Sequence, residues 1–259
     1  MAKRYYPYKK MTFHTKKGRL ISVEKYRELT FTNDVLKTMA QTGSYEGTVL
    51  IADRQSAPRG TLSKKHFPDT QAGLHMSILL RPALSVNQSL LLTSMMAVAV
   101  VRAIRSMTDV DLGIKWVNDI FYKKKKISGI LAEGVVNSEN GFDYVIIGVS
   151  VNLLSSVFPT RLADIVAEFF SEEREGMVDK LAHTILDEFF LMYESFNMDN
   201  SFIEEYKSLS ILDGKKVHVI INKERESATV LGINSDAHLE VRLKNGELYT
   251  LNSTAELAE

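Results

Sequence analysis

The segment KWVNDIFYKKKKISGIL, Lys115 to Leu131, places an Asn-Asp pair and four consecutive lysines inside a run that otherwise reads as core. Lys123, Lys124 and Lys125 fit a hairpin turn kept in water by its charges. Lys126 differs, because it directly precedes Ile127-Ser128-Gly129-Ile130-Leu131, a strand that has to pack. Alternation predicts Lys126 on the face of Ser128 and Ile130. A lysine aimed over a strand at the mouth of a pocket suits an anion, either a phosphate or a carboxylate. Asn118 and Asp119 are expected inside the preceding apolar strand, where an unpaired polar group costs about 1–3 kcal/mol. Both need partners, structural or from a ligand.

A second group with chemical potential lies in SAPRGTLSKKHFPDTQAG, a polar and basic stretch between two strand-like runs. Arg59-Gly60 and Lys64-Lys65 can close over phosphates, supplying backbone donors and a guanidinium together; the plainer reading is a solvated loop. Other chemistries are excluded. There is no cysteine, hence no disulfide, thiolate-bound zinc or thiol nucleophile. The histidines at 14, 66, 75, 183, 218 and 238 lack metal-ligand spacing, and no P-loop, GxGxxG or HExxH is present. GVSVN, Gly148 to Asn152, lacks the second glycine of a hydrolase nucleophile elbow.

These residues need a scaffold, and 259 residues with 45% hydrophobic and 25% charged content suffice for one large domain plus a small module. Thirty-two acidic residues balance thirty-two basic ones, so no global field points to DNA or membrane. The basic, tyrosine-containing N-terminus is expected to be an exposed tail leading into a first strand. LLLTSMMAVAVVRAI, interrupted by Thr93, Ser94 and Arg102, reads as a buried central helix rather than a membrane anchor. Thr32-Asn33-Asp34 looks like the cap of a helix ending at Gly43. GTVLIADRQ, LHMSILLRP, IKWVNDIFY, KISGILAEG and DYVIIGVSVNLL read as strands, and the chain turns helical from about residue 160. KKVHVII, SATVLGI, HLEVRL and LYTLNS are short alternating strands behind a boundary near Asp213-Gly214. The fold class predicted is α/β (α+β): a mixed domain over 1–212 and a small all-β module over 213–259.

Taken together the motifs resemble those of the biotin–protein ligases. IKWVNDI followed by KKISGILAE is similar to that family's KWPNDI…K-(L/I)-x-G-I-L-x-E; T-N-D at 32–34 resembles S-T-N; ADRQSAPRG resembles E-x-Q-x-A-G-R-G. GLHMSILLRP resembles G-L-Y-x-S-x-x-L-R-P, and IIGVSVNL resembles I-G-I-G-I-N, with coverage from about residue 22 to 256. The resemblance implies a class II synthetase-like catalytic domain with a mixed sheet, followed by an SH3-like β-barrel, of the monofunctional type without a DNA-binding domain. It implies activation of biotin by ATP with Mg²⁺, giving biotinyl-5′-adenylate, and transfer to a lysine of a carboxylase's biotin carboxyl carrier domain. Lys126 and Arg59 then match catalytic positions. Thr32, Asn33, Gln55, Gly60, Gly129, Gly148 and Ser150 match the biotin pocket. Arg59, Lys64, His66, Asn118, Asp119, Lys126 and Asn152 match the ATP and adenylate side, with Asp119 as the Mg²⁺ residue. A cytoplasmic address and a homodimer are further expectations.

Departures from the family pattern leave two alternatives standing: a ligase for another acyl group such as lipoate or octanoate, or a non-catalytic protein that binds biotin or a partner. Pro58, Thr61, Ser63 and His66 replace a glycine, an arginine, a glycine and a tryptophan of the family's loop. Phe31 and Ser150 replace a serine and a glycine, adding bulk where the family keeps space.

Overall fold

The computed structural model describes residues 5–59, 73–108, 110–153, 160–196, 198–252 and 257–258, with the side chains of its longest helix described from residue 176 onward. The first strands are β1 (Lys9–His14), β2 (Leu20–Leu29), β3 (Thr48–Gln55) and β4 (Gly73–Leu80), with helix α1 (Thr32–Gln41) between β2 and β3. Helix α2 (Ser89–Met107) leads to β5 (Leu112–Lys115), β6 (Asp119–Tyr122), β7 (Lys125–Val136) and β8 (Phe142–Asn152). These strands form one sheet in the order β1-β2-β3-β4-β8-β7-β6-β5. Only the β2–β3 pair is parallel.

Strand alternation sorts this sheet into a packing face and a working face. Leu74, Met76, Ile78, Val145, Ile147, Val149 and Val151 join the large core beneath α2 and helix α3 (Thr160–Tyr193). On the opposite face, α1 covers Leu50, Ala52, Leu79, Tyr144 and Ile146. Farther along that face β4 and β8 carry His75, Ser77, Gly148 and Ser150 instead of apolar side chains. The sheet floor is thus apolar under α1 and polar beyond its N-terminus. Val86–Met107 is long and apolar enough to cross a membrane, yet here it is the central helix, with Leu91 through Val101 buried.

Three expectations need correction. The helix cap is Phe31, whose hydrocarbon side chain can make no cap hydrogen bond, while Thr32 and Asn33 turn their side chains to the sheet floor. IKWVNDIFY is not one strand but a hairpin, β5 and β6 joined by a turn at 116–118, so Asn118 lies in a turn and Asp119 opens β6. The third concerns Lys126. β6 and β7 pair Ile120 with Ser128 but Phe121 with Lys126, so Ile127 is a bulge residue. A bulge shifts alternation by one. Lys126 therefore shares a face with Asp119 and Gly129, while Ser128 faces the packing side.

The basic N-terminal stretch is an edge strand whose charges are locally matched. Lys10 pairs with Glu24, Lys9 and the buried Lys25 with Asp179, Lys16 with Glu188 and Arg19 with Glu194. Behind helix α4 (Phe202–Ser208) follow β9 (Lys216–Ile221), β10 (Glu224–Ile233), β11 (Leu239–Leu243), β12 (Leu248–Leu251) and β13 (Leu257–Ala258). They form an antiparallel sheet in the order β12-β11-β10-β9-β13. Asn222 and Lys223 both take positive φ, the geometry of a two-residue hairpin turn.

Candidate active site

Two adjacent rows of cross-strand neighbours build the site. The first runs Leu50–Ser77–Gly148–Leu131 across β3, β4, β8 and β7. The start of α1 descends onto it. Ser77 Oγ lies 2.6 Å from both Thr32 Oγ1 and Asn33 Oδ1. Gln55 Oε1 accepts from the backbone N–H of Thr32 at 2.8 Å and from its hydroxyl at 3.0 Å. Asn33 Nδ2 donates to Glu133 Oε2 at 2.7 Å and to the Leu131 carbonyl at 3.3 Å. Thr32, Asn33, Gln55 and Ser77 are all buried, so this is a mutually bonded polar socket set into an apolar floor. Such a socket can recognise a ligand carrying both donors and acceptors.

The second row lies two residues along each strand, about 6.5–7 Å away. It runs Ala52–His75–Ser150–Gly129–Asp119. Ser150 Oγ lies 3.0 Å from His75 Nδ1. Lys126 extends over Gly129, where an added Cβ would stand 3.2 Å from its Nζ and 3.1 Å from its Cε. Its Nζ meets Asp119 Oδ1 at 2.5 Å, and the lysine side chain keeps 36% of its exposure. The ammonium is thus held above the floor by Asp119, with the side chain still partly exposed.

Asn118 has a structural partner: its Nδ2 donates to the Ile130 carbonyl at 2.7 Å, and Ile130 N–H returns a bond to the Asn118 carbonyl at 3.0 Å. This ties the 116–118 turn to β7 and places Asp119. Two longer-range bonds hold the same turn. Trp116 Nε1 donates to the Ala237 carbonyl in the turn between β10 and β11, and Tyr206 Oη donates to the Val117 carbonyl, each at 2.8 Å. Burial pushes the Tyr206 phenol above its ordinary pKa, so it stays protonated and a donor.

Arg59 pairs with Asp34 in the first turn of α1 and lies 5.3 Å over the Phe31 ring. Phe31 thus serves as a platform for the start of the basic loop, a role its bulk alone does not suggest. Asn152 is buried at the end of β8 opposite Gly73. Gly60, Lys64 and His66, with Thr61 and Ser63, lie outside the described residues. The fold brings together Thr32, Asn33, Gln55 and Gly148 in one row, and Asp119, Lys126, Gly129 and Ser150 in the next. Sequence reasoning missed Ser77, Glu133 and His75 as site residues. The first two sit inside the quoted motifs GLHMSILLRP and ISGILAE, and His75 stands where the family motif has tyrosine, so the signal was present but unassigned.

Residues 26–152 match the Biotin/lipoate A/B protein ligase family. The bifunctional ligase/repressor BirA of Bacillus spizizenii is 34% identical over 151 residues, 57% of this chain and 46% of that protein. The human biotin–protein ligase is 25% identical over 226 residues, 83% of this chain and 31% of that protein. This chain therefore spans less than half the length of either curated relative. Among solved structures, the biotin protein ligase of Aquifex aeolicus in complex with biotin and ATP superimposes with a TM-score of 0.67 at 22% identity, covering 91% of this chain and 97% of that one. That likeness extends over the mixed sheet and shows a common fold. The matched region, residues 26–152, encloses both rows of the site and carries the likeness to the Biotin/lipoate A/B protein ligase family.

Proposed function

We propose that this chain activates biotin with ATP and transfers it to a lysine of a biotin carboxyl carrier domain. The observation that carries the reading is the position of Lys126, one row of the sheet away from the Thr32–Asn33–Gln55–Ser77 socket. A biotin ring held by that socket would extend its acid tail along the floor toward the ammonium. The ureido group of biotin has two N–H donors and one carbonyl acceptor, a pattern suited to a socket of hydroxyls and amides.

In the first step a biotin carboxylate oxygen forms a bond to the α-phosphorus of ATP while the bond to pyrophosphate breaks. Two anions must approach, so the barrier is largely electrostatic and a fixed cation is the required device. Lys126 serves there, and Arg59, at the start of the basic loop, can exchange Asp34 for the nucleotide. In the second step the carrier's lysine amine attacks the acyl carbon, an amide forms, AMP leaves and the amine gives up a proton. Lys64 and His66 belong to the nucleotide side of this reading, and Gly60 to the loop that excludes water from the intermediate.

Among the described residues no three His, Asp or Glu side chains cluster as a metal site. Mg²⁺ entering on ATP phosphates needs only one or two protein carboxylates. Asp119, in the Lys126 row, fits that demand, and the ion when bound would neutralise phosphate charge.

Residues 1–212 form the catalytic unit and residues 213–259 an SH3-like barrel, a reading supported by the five short antiparallel strands. A cytoplasmic protein without DNA contact belongs to the same reading; carboxylates of the fold engage Lys9, Lys10, Lys16 and Arg19, which supports the lack of DNA contact. An edge strand such as β1 can pair with a second copy, so a homodimer belongs to the same reading and sedimentation measures it.

The test is incubation with ATP, Mg²⁺ and either biotin or lipoate, followed by assay of pyrophosphate and of a modified carrier domain. Pyrophosphate release and carrier labelling with biotin, not lipoate, are expected. Biotin binding without pyrophosphate, or turnover with lipoate alone, would contradict the assignment.

A further inference from the structure

The pair His75–Ser150 stands in the floor of the site at positions where the resembled motifs carry tyrosine and glycine, and its geometry gives it a task. His75 is buried and Ser150 half-buried, with 3.0 Å between Nδ1 and Oγ. Ser150 lies directly across from Gly129 in the β8–β7 pair, about 5 Å between backbones. Lys126 Nζ overhangs that same Gly129. The serine hydroxyl and the lysine ammonium therefore flank one spot on the floor, one row from the socket.

Resting on the reading above, the geometry points to Ser150 as a hydrogen-bond donor to the substrate's carboxylate, oriented by His75, in a place where a glycine would offer none. With Nδ1 protonated, His75 donates to Ser150 Oγ, and the hydroxyl proton is left to point at the ligand. The carboxylate then takes a charge-assisted bond from Ser150 on one side and the Lys126 ammonium on the other. This fixes the oxygen that must face the α-phosphorus, which lowers KM through binding and leaves the phosphoryl chemistry to Lys126. His75 is a positioning residue. Its Nδ1 sets the rotamer of the hydroxyl, as the second partner of a ligating side chain generally does. The replacement of glycine by serine is then a gained contact rather than lost space.

Calorimetry with two probes, biotin and its alcohol analogue in which the carboxylate is reduced, separates these roles. Ser150→Ala and Ser150→Gly are expected to weaken biotin binding about tenfold or more, and to leave binding of the alcohol nearly unchanged. His75→Phe should raise the biotin KM in pyrophosphate release with little change in kcat. His75→Asn, which keeps a donor near the Nδ1 position, should restore most of the loss. Ser150→Gly binding biotin as tightly as wild type, or more tightly, overturns the inference and makes the serine an obstruction. A wild type that binds neither probe overturns the parent reading and this inference together.

Discussion

The Asn33 carboxamide occupies the space a side chain on Gly148 would fill. A Cβ at 148 would stand 2.3 Å from Asn33 Oδ1 and 3.0 Å from its Cγ. The glycine is what lets the first turn of α1 press its amide onto the sheet and join Ser77 to Glu133.

Gly148→Ala is therefore expected to displace Asn33 and open the socket. We expect biotin affinity to fall at least about tenfold, with overpacking lowering stability by about 1–3 kcal/mol. Calorimetry beside a urea melt separates the two effects. Unchanged affinity in a folded variant would remove Asn33 from recognition.

The turn that presents Asn118 and Asp119 is held from outside the central sheet, by Trp116 to Ala237 and by Tyr206 to Val117. Trp116→Phe and Tyr206→Phe each leave a buried carbonyl without its donor, costing about 1–3 kcal/mol. Both variants should raise the KM for ATP while biotin affinity holds, because the socket does not include this turn. Equal changes for both substrates would show that the turn is general scaffold.

Ser128 is fully buried on the packing face, and its hydroxyl has no hydrogen-bond partner among the described residues. Ser128→Ala should leave the denaturation midpoint unchanged or higher, since an unmade buried bond is a penalty rather than a contribution. A loss above about 1 kcal/mol in urea melts would mean that the hydroxyl is bonded.

Much of this was legible in the chain and some was not, for identifiable reasons. The apolar alternation of GLHMSILL and YVIIGVSV marks buried strands, and the length of SLLLTSMMAVAVVRAI marks the central helix. The motif matches assign Lys126 and Asp119 to the nucleotide side and Gly129 to the biotin pocket, whereas the fold sets all three in one row. Strict alternation then set Lys126 beside Ser128, because a one-residue bulge at Ile127 leaves no compositional mark. Thr32 and Asn33 read as capping residues, since side chains suited to cap a helix are equally suited to bond a ligand. The single-strand reading of IKWVNDIFY failed because apolar Trp116 and Val117 hide a turn, and their burial depends on helix α4 and the C-terminal sheet. The Ser150–His75 contact joins residues 75 apart, and only the pairing of β4 with β8 brings them together.

The most direct test of the account is Lys126→Met, with biotin binding and pyrophosphate release measured on the same preparation. The account predicts that binding persists within about tenfold of wild type, while adenylate formation falls by about a thousandfold or more, as loss of a preorganised charge contact requires. Turnover by the methionine variant within about tenfold of wild type would contradict it.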